Sequence, residues 1–572
     1  MTTLQEAFTA GYVSLSAWSD LLDRINVFPV ADADTGANLR ISLSPLRACT
    51  LTSAQTAEQI IHSATGNSGN IAAAFFSVLL QATSPAELPE RIQAGYRKAR
   101  KAVAVPKDGT MLSVFEALSE LFASSPSLDA ARCKDILADL QKTVLSTADI
   151  QADCRQAGVV DSGALGMYVF FDGFFQTLTG MDGERPSLFD LFHGYLTLDA
   201  KFRPPTSDAY CVDVFLAPTN ERSLDPTELA HLGESLVVVP EQNSLKIHIH
   251  TLDPGMLHAQ LADLGEVSHW SAEPLQAEAE ADAAEAQSVA AGCLHIMTDA
   301  AGSLPRELAR RYNISLLDSY IIHGDSARPE SLCDPVQIYE LMRHKYRLTT
   351  AQASLAERHQ RYRTVLEEFG KTLYLCVGSA FTGNHAVALA WQEQQDRDQL
   401  LEVIDTGAAS GRLGLIALLS ARLAQRTADA DAVRHHALHL SRACREYVFI
   451  DSLQYLAAGG RVSRSSGLFG HLLGLKPIIS PTAAGVKKEG MVRSRDAQLA
   501  FACEKVRREI TTPARAVLLL QHSDNEPWVR EIAQPQLHSL LPGAEFHLVP
   551  LSLTSGVHMG PGTWSLAFAE EP

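Results

Sequence analysis

Apolar residues recur at spacings of three and four through the first third of the chain, and that period predicts helices. It runs through Ala57–Leu80, Leu88–Val105, Met111–Ala123 and Asp129–Leu145, with short loops of Gly, Asn, Ser, Asp or Pro between them. Such a pattern predicts a helical bundle whose functional residues sit at helix ends. Near Ala209 the period drops to two. Tyr210–Leu216 and Leu245–His250 alternate, and Ser235–Val239 is a third strand candidate, which together predict a small α+β unit. Ala272–Ala286 is low in complexity, rich in Ala and Glu, and reads as a solvated helix or linker. From Cys293 onward strand, loop and helix repeat. Leu294–Met297 leads to a helix over Leu304–Tyr312 and to Ile314–Leu317, Leu373–Val377 to a helix from Asn384, and Leu401–Ile404 to another helix. Repeated β-loop-α units imply a parallel sheet flanked by helices. The expected domains are 1–200, helical; 201–271, α+β; 272–291, acidic linker; and 292–572, α/β.

Composition adds little to this picture. A length of 572 residues suits about three or four domains at roughly 150 residues each. The 46% hydrophobic content supports large cores, and the net charge of −18 makes nonspecific nucleic-acid binding a poor reading. Nine scattered cysteines without a C-x-x-C pair predict reduced thiols and a cytoplasmic location. No apolar run reaches the ~18 residues of a membrane span, and Met1–Ala7 lacks the pattern of a secretion signal.

The stretch from Ala31 to Leu39, Ala-Asp-Ala-Asp-Thr-Gly-Ala-Asn-Leu, carries the first candidate chemistry. Asp32 and Asp34 share one side of a locally extended backbone, where like charges repel unless protonated or bound to a cation. Mg²⁺ favours carboxylates, waters and phosphate oxygens. Gly36 allows a sharp turn or a close approach. A plain Asx turn is the alternative. Gly66-Asn67-Ser68-Gly69, Asp108–Leu112 and Gly158–Gly166 each open a helix, and such N-termini offer N–H groups to phosphate oxygens.

In this order, Asn26-Val27-Phe28-Pro29-Val30, Asp32–Asn38, Gly66–Gly69, Gly109-Thr110-Met111 and Gly158–Gly163 resemble the nucleotide-binding domain of the dihydroxyacetone-kinase family, most closely the branch in the catalytic subunit of bacterial fatty acid kinase. The resemblance covers roughly the first 200 residues. It implies an all-α helical barrel of the L type with ATP at one end. Asp32 and Asp34, with Asn26 as a further contributor, would hold Mg²⁺ ions bridging the phosphates. Asn38, Gly66, Asn67, Ser68 and Gly69 would form the phosphate side, and Thr110, Met111, Asp161 and Gly163 would surround the nucleoside. Two positions depart from the family pattern: Ala33 stands where glycine is usual, and Thr65 where arginine is common.

His248 and His250 share one face of their strand, and Cys211 lies in a strand able to join the same sheet. Imidazole and thiolate are zinc's preferred ligands, although His-x-His is more often two half-exposed strand residues. Leu232–Val239 and Lys246–Gly255 resemble the middle domain of the same kinase catalytic chain, which implies that Cys211, His248 and His250 hold a metal, here taken as Zn²⁺.

In the last part, Thr349–Ser354, Gly378–Gly383, Ala458-Gly459-Gly460-Arg461-Val462-Ser463, Leu475–Ile478 and His558-Met559-Gly560-Pro561-Gly562 resemble the DegV family of fatty-acid-binding proteins. A two-lobed α/β fold is implied, with Thr350 and Ser379 holding a lipid carboxylate and Arg461 and His558 beside the head group. Ordinary helix capping and structural ion pairs are the alternatives.

The combined expectation is an ATP-dependent fatty acid kinase forming an acyl phosphate on a fatty acid carried by its own DegV-like part. The expected partners are a long-chain fatty acid, a downstream acyltransferase and a second copy of the chain. A lipid-binding regulatory protein with a degenerate kinase domain and a dihydroxyacetone-type sugar kinase are the other readings.

Overall fold

A computed structural model describes residues 3–47, 52–124, 128–181, 186–204, 207–219, 226–241, 243–275, 294–324, 326–458 and 475–571. The chain divides into two compact units, Met1–Ala281 and Asp282–Pro572.

In the first unit the helical period becomes a barrel. Its two most apolar helices, Gly66–Leu79 and Ser162–Thr179, are buried on nearly every side, as expected for helices without a polar face. Phe75, Phe76, Phe115, Phe170, Phe171, Phe174 and Phe175 fill the core, and the Phe75 and Phe115 rings stack with centroids 3.9 Å apart. The predicted segment Ala57–Leu80 is two helices, Ser53–Ser63 and Gly66–Leu79. The break falls at Ala64–Thr65 because both residues are extended and Gly66 takes a left-handed φ of 64°. This break frees the N-terminus of the second helix.

The three predicted strands of the middle part are present as β1 (Tyr210–Pro218), β2 (Glu234–Glu241) and β3 (Ser244–Thr251), and β4 (Gly265–Pro274) joins them. They form one antiparallel sheet in the order β2-β3-β1-β4. Tyr210 pairs with Pro274, so β4 runs past the expected boundary at 271 and the pairing holds 272–274 in the sheet. The rest of the expected linker lies outside the described residues. The sheet has a core of its own, with Val212, Val214, Ile247 and Ile249 in it, and also packs on the barrel. Val237 and Val239 sit in the barrel's own core, and Ala104 N donates to Leu236 O at 3.1 Å. Alternate residues of β2 thus point to opposite sides, one set closing the barrel.

The second unit contains the predicted parallel sheet and a second, mixed one. Leu401–Asp405, Thr372–Cys376, His295–Asp299 and Ile314–Leu317 form the parallel sheet, in that spatial order. A six-stranded mixed sheet follows the order Gly485–Val492, Lys476–Thr482, Arg445–Phe449, Trp564–Glu570, Ala516–His522, Glu545–Pro550, and only its last pair is parallel. The repeated β-loop-α units thus form the parallel sheet expected of them, and the mixed sheet is a further element in which the C-terminal strand lies between two earlier ones and runs against both. The helix Ser410–Arg426 shares a core with residues from both sheets, including Ile296, Leu375, Leu519 and Ala567. A three-stranded antiparallel sheet, Ser326–Pro329, Ser319–His323 and Leu348–Gln352, completes the unit.

Beside that small sheet, Glu330 is buried and accepts from Thr554 N at 2.7 Å and Thr554 Oγ1 at 2.5 Å. Burial pushes its carboxyl up from 4.5 to about 7. Protonation therefore favours the folded state. The contribution is present below the ordinary carboxyl value and is lost as pH rises through about 7. Raising pH across that window is expected to lower the stability of this unit by about 3 kcal/mol, and Glu330→Gln is expected to flatten that dependence. Melting curves at pH 5 to 8 check it; equal slopes for the two proteins contradict it.

Candidate nucleotide and metal site

A cavity of about 510 Å³ opens in the first unit, within the size range of small-molecule sites. Four helix starts reach its wall: Asp34 and Thr35; Gly66, Asn67 and Ser68; Thr110 and Met111; and Asp161. Each such end carries N–H groups without a partner inside the helix, some of them met by side chains, and the positive end of a helix dipole. Phe28, Ile71, Val103, Val105 and Leu112 supply an apolar part of the lining. The cavity therefore offers a surface for a planar apolar group beside a region rich in anion donors.

Asp32 and Asp34 both line it, but not through an extended backbone. The chain turns at Ala33, which holds a left-handed φ of 54°, and Asp34 is the N-cap of the helix Thr35–Ser42. The close approach of this helix to the one before it requires Gly36: a Cβ there would lie 2.0 Å from Ser19 O. Burial raises the Asp32 carboxyl. It raises that of Asp34 further, with the charge of Asp32 adding to the effect. Asn26 Nδ2 donates to Asp32 Oδ1 at 2.6 Å, and Asn26 Oδ1 accepts from Ser162 Oγ at 3.3 Å. Asn26 thus braces Asp32 from behind and also borders the cavity. Left-handed φ at an alanine costs roughly 1–2 kcal/mol, which glycine largely avoids. Ala33→Gly is expected to stabilise the fold by up to about 1 kcal/mol, because glycine's greater unfolded-state entropy offsets part of the gain. Urea unfolding measures this, and a loss of stability contradicts it.

Ser68 Oγ is buried and meets no hydrogen-bond partner, as a donor reserved for a ligand would. Asn38, Gly69 and Gly163 stand behind the wall. A Cβ on Gly66 would fall 2.0 Å from Asn38 Nδ2, one on Gly69 2.1 Å from Ser42 Oγ, and one on Gly163 2.8 Å from Met111 Cε. Asn38 also hydrogen-bonds Asp34, which lowers the Asp34 carboxyl against the larger effect of burial. Asp161 caps the helix Ser162–Thr179 by accepting from Ala164 N at 2.7 Å, and burial pushes its carboxyl up to about 7.

Cys211, His248 and His250 line the same cavity as the two aspartates. The sequence placed them in a separate domain; the closing of the sheet over the barrel brings the two sets together. In the sheet register Cys211 faces His250, and Asp213 faces His248. His248 Nε2 and His250 Nε2 are 3.2 Å apart, and Cys211 Sγ lies 3.8 Å from His248 Nδ1. One ligand atom from each residue falls within 4.8 Å of the others, so the three fit a single ion. Burial and the neighbouring His248 push His250 down to about 3, leaving the neutral imidazole that a metal needs. Burial, then the charges of Asp213, Asp34 and Asp32, hold the Cys211 thiol well above its ordinary value. A cation in the site is what would favour the thiolate.

Sequence reasoning missed Asp213 and Lys246. Burial opposes ionisation of Asp213, but His248 and Lys246 outweigh it and hold the carboxyl well below the usual range. Lys246 Nζ lies 3.4 Å from Asp213 Oδ1. The signal was present in the period of two: Asp213 shares a face with Cys211, and Lys246 with His248 and His250.

Three family models match successive parts of the chain: the DAK2 domain over residues 29–176, the FakA-like middle domain of fatty acid kinase over 208–282, and the DegV family over 293–571. The three matches in one chain fit a fusion of a FakA-like region with a DegV region. The fusion is 27% identical over 292 residues to protein SH1689 of Staphylococcus haemolyticus, covering 45% of this chain and 52% of that one. It is 27% identical over 290 residues to protein YloV of Bacillus subtilis, covering 44% and 51%. With the DegV domain-containing protein TTE1491 of Caldanaerobacter subterraneus it shares 26% identity, covering 48% and 98%. The alignments to SH1689 and YloV thus span about half the length of those relatives. Among solved structures, a fatty-acid-binding DegV family protein from Thermus thermophilus is similar at a TM-score of 0.45 and 26% identity, covering 49% of this chain and all of that one.

In the fusion's DegV domain, Thr350 Oγ1 and His558 Nε2 lie 3.1 Å apart, although 208 residues separate them. Thr350 sits on the strand Leu348–Gln352 and His558 in the last turn of Leu553–Met559. Ser379 is exposed, in the loop after Thr372–Cys376, where its N–H donates to Asp405 Oδ1 at 3.1 Å. Arg461 lies outside the described residues. Among the described residues seven cysteines are free, and no helix is long and apolar enough to cross a membrane.

Proposed function

We propose that this chain is an ATP-dependent fatty acid kinase. It transfers the γ-phosphoryl group of ATP to the carboxylate of a fatty acid held by its DegV domain, giving an acyl phosphate and ADP. The observation that carries the reading is the convergence of four helix N-termini and two half-buried aspartates on one cavity, in a chain that also holds a fatty acid kinase-like middle domain.

Both groups fit the residues present. Ser68 Oγ is an unpaired buried donor beside the start of Gly66–Leu79, which suits phosphate oxygens. Asp32 and Asp34 are two half-buried acids whose carboxyls are both raised, an arrangement that a divalent cation would relieve. Mg²⁺, when bound, neutralises phosphate charge. Asn26 holds Asp32 in place, and the lining around Met111 and Val103 keeps water from one side of the nucleotide. A carboxylate oxygen forms the new bond to phosphorus, and the bond from phosphorus to the β–γ bridging oxygen breaks, with its electron pair leaving on ADP. The nucleophile is already ionised, so positioning supplies most of the acceleration and no strong base is needed. Cys211, His248 and His250 suit Zn²⁺ as donors. The acyl phosphate is an activated acyl group, and an acyltransferase is the class of enzyme that would consume it. Joining carrier and kinase raises their effective concentration.

Purified protein with ATP, Mg²⁺ and a long-chain fatty acid is expected to release ADP and a product that hydroxylamine traps as the hydroxamate. ATP binding without turnover would replace this reading with a regulatory lipid-binding protein, which the strained Ala33 between the two acids favours. ADP release with dihydroxyacetone and none with fatty acid would replace it with a sugar kinase.

A further inference from the structure

We infer that Asp213 is the positioning residue that couples the Cys211, His248 and His250 metal site to the anion-binding loop at Gly66, so that occupancy of one tightens the other. This rests on the nucleotide reading above, but not on the identity of the phosphoryl acceptor.

Asp213 is buried, and its two oxygens face two different functional groups. Oδ2 lies 3.4 Å from His248 Nδ1 and accepts from Gly66 N at 2.9 Å. The same oxygen receives Thr65 Oγ1 at 3.4 Å. Oδ1 accepts from Asn70 Nδ2 at 2.9 Å and faces Lys246 Nζ at 3.4 Å. One oxygen therefore contacts both the histidine of the triad and the first amide of the loop. Thr65, which departs from the family's arginine, spends its hydroxyl on this carboxylate.

The consequence for the metal site is geometric. A carboxylate on the far nitrogen of a ligating histidine fixes the ring's tautomer and angle and raises its basicity. His248 Nδ1 has Asp213 Oδ2 at 3.4 Å and Cys211 Sγ at 3.8 Å, and Nε2 is the nitrogen that faces His250 Nε2, at 3.2 Å. Two nitrogens on one tetrahedral zinc, each at about 2.0–2.1 Å, would stand about 3.3–3.4 Å apart. The pair is already at that separation.

The consequence for the loop is equally direct. Gly66 has a left-handed φ of 64°, and the carboxylate holds its N–H, leaving Asn67 and Ser68 on the cavity wall. A shift of Asp213 moves both partners together, because Asn70 also donates to Gly66 O at 2.8 Å and stiffens the same turn. Ordering His248 by a metal orders Asp213, and through it the loop, so the coupling is positive. By linkage the nucleotide must tighten the metal by the same factor.

The test uses the full chain, Co²⁺ as a spectroscopic probe of the triad, and the non-hydrolysable analogue AMP-PNP with Mg²⁺. The cobalt–thiolate charge-transfer band reports the site and should vanish in Cys211→Ser. In the wild type, saturating Co²⁺ is expected to tighten AMP-PNP at least about 5-fold, and AMP-PNP to tighten Co²⁺ equally. Asp213→Asn is expected to weaken Co²⁺ by about 10–100-fold. At cobalt concentrations that restore its band, the coupling in this variant should fall below about 2-fold, half the floor set for the wild type or less. Coupling kept at its wild-type factor would mean that the metal's charge acts directly on the nucleotide, and would overturn the inference. Should the variant not fold, the wild-type cycle decides alone: AMP-PNP binding indifferent to Co²⁺ overturns the coupling and leaves the kinase reading standing. Absence of AMP-PNP binding overturns both.

Discussion

Asp34→Ala is expected to abolish ATP-dependent phosphoryl transfer, by on the order of 10³-fold or more in kcat/KM, while fatty-acid binding stays at the wild-type level. Asp34 has the more strongly raised carboxyl of the two acids, through desolvation and the charge of Asp32. That is a costly arrangement for a metal-free protein, and a divalent cation reverses its sign. Removing one acid leaves the remaining one without its partner in charge and geometry, so the phosphates lose their anchor. A second readout follows from the same physics. In the metal-free protein Asp34→Asn relieves like-charge repulsion, and its melting temperature is expected to equal or exceed that of the wild type. Added Mg²⁺ is expected to raise the wild-type melting temperature and leave the variant unmoved. Full activity in either variant, or equal stabilisation by Mg²⁺, would remove the aspartates from the metal site.

Thr350→Val is expected to weaken fatty-acid binding about 10–100-fold, the effect of losing one hydrogen bond to a charged group at roughly 1.5–3 kcal/mol. The substitution keeps the shape of the side chain and its strand position, so apolar contacts with a lipid tail are retained. The Thr350 hydroxyl and His558 ring are 3.1 Å apart and form one polar pair. His558→Ala should therefore cost a similar amount, and the double variant little more than either single one, because residues in one network do not add. Titration with a fluorescent fatty acid measures all three, and AMP-PNP affinity serves as the control that the first unit is intact. Fatty-acid affinities within about 2-fold of the wild type would mean that the pair is a structural contact between strand and helix, since a lost bond to a carboxylate cannot cost so little.

Several elements of the fold were legible from local pattern. The helices of the barrel follow from a period contained within single windows of the first third of the chain, β1 and β3 follow from alternation, and β2 from a run of β-branched residues. The helix starts were legible too, because Gly66 and Asp161 carry turn and capping chemistry that acts over three or four residues. Where sequence reasoning failed, the deciding contact was remote. The extended reading of Asp32 to Asp34 missed the left-handed turn at Ala33, which the packing of the following helix against Ser19 accompanies. The repeated units gave the parallel sheet but not the mixed one, in which the C-terminal strand Trp564–Glu570 pairs with strands more than forty and more than a hundred residues earlier.

Residue order alone settled which groups are available: the aspartate pair, the glycine-rich helix starts, the Cys and two His on one sheet, and the Thr and His motifs of the DegV part. Their types and short-range spacings are local properties, and physical chemistry reads them without a fold. Which of them meet was left to the packing of whole elements. Closing the β-sheet over the barrel placed Cys211, His248 and His250 in one cavity with Asp32 and Asp34, and put Asp213 between His248 and Gly66. Packing likewise joined Thr350 to His558 while leaving Ser379 exposed on its own loop. Contacts between residues more than a hundred positions apart depend on the summed burial of those elements, and no short stretch of chain carries that sum.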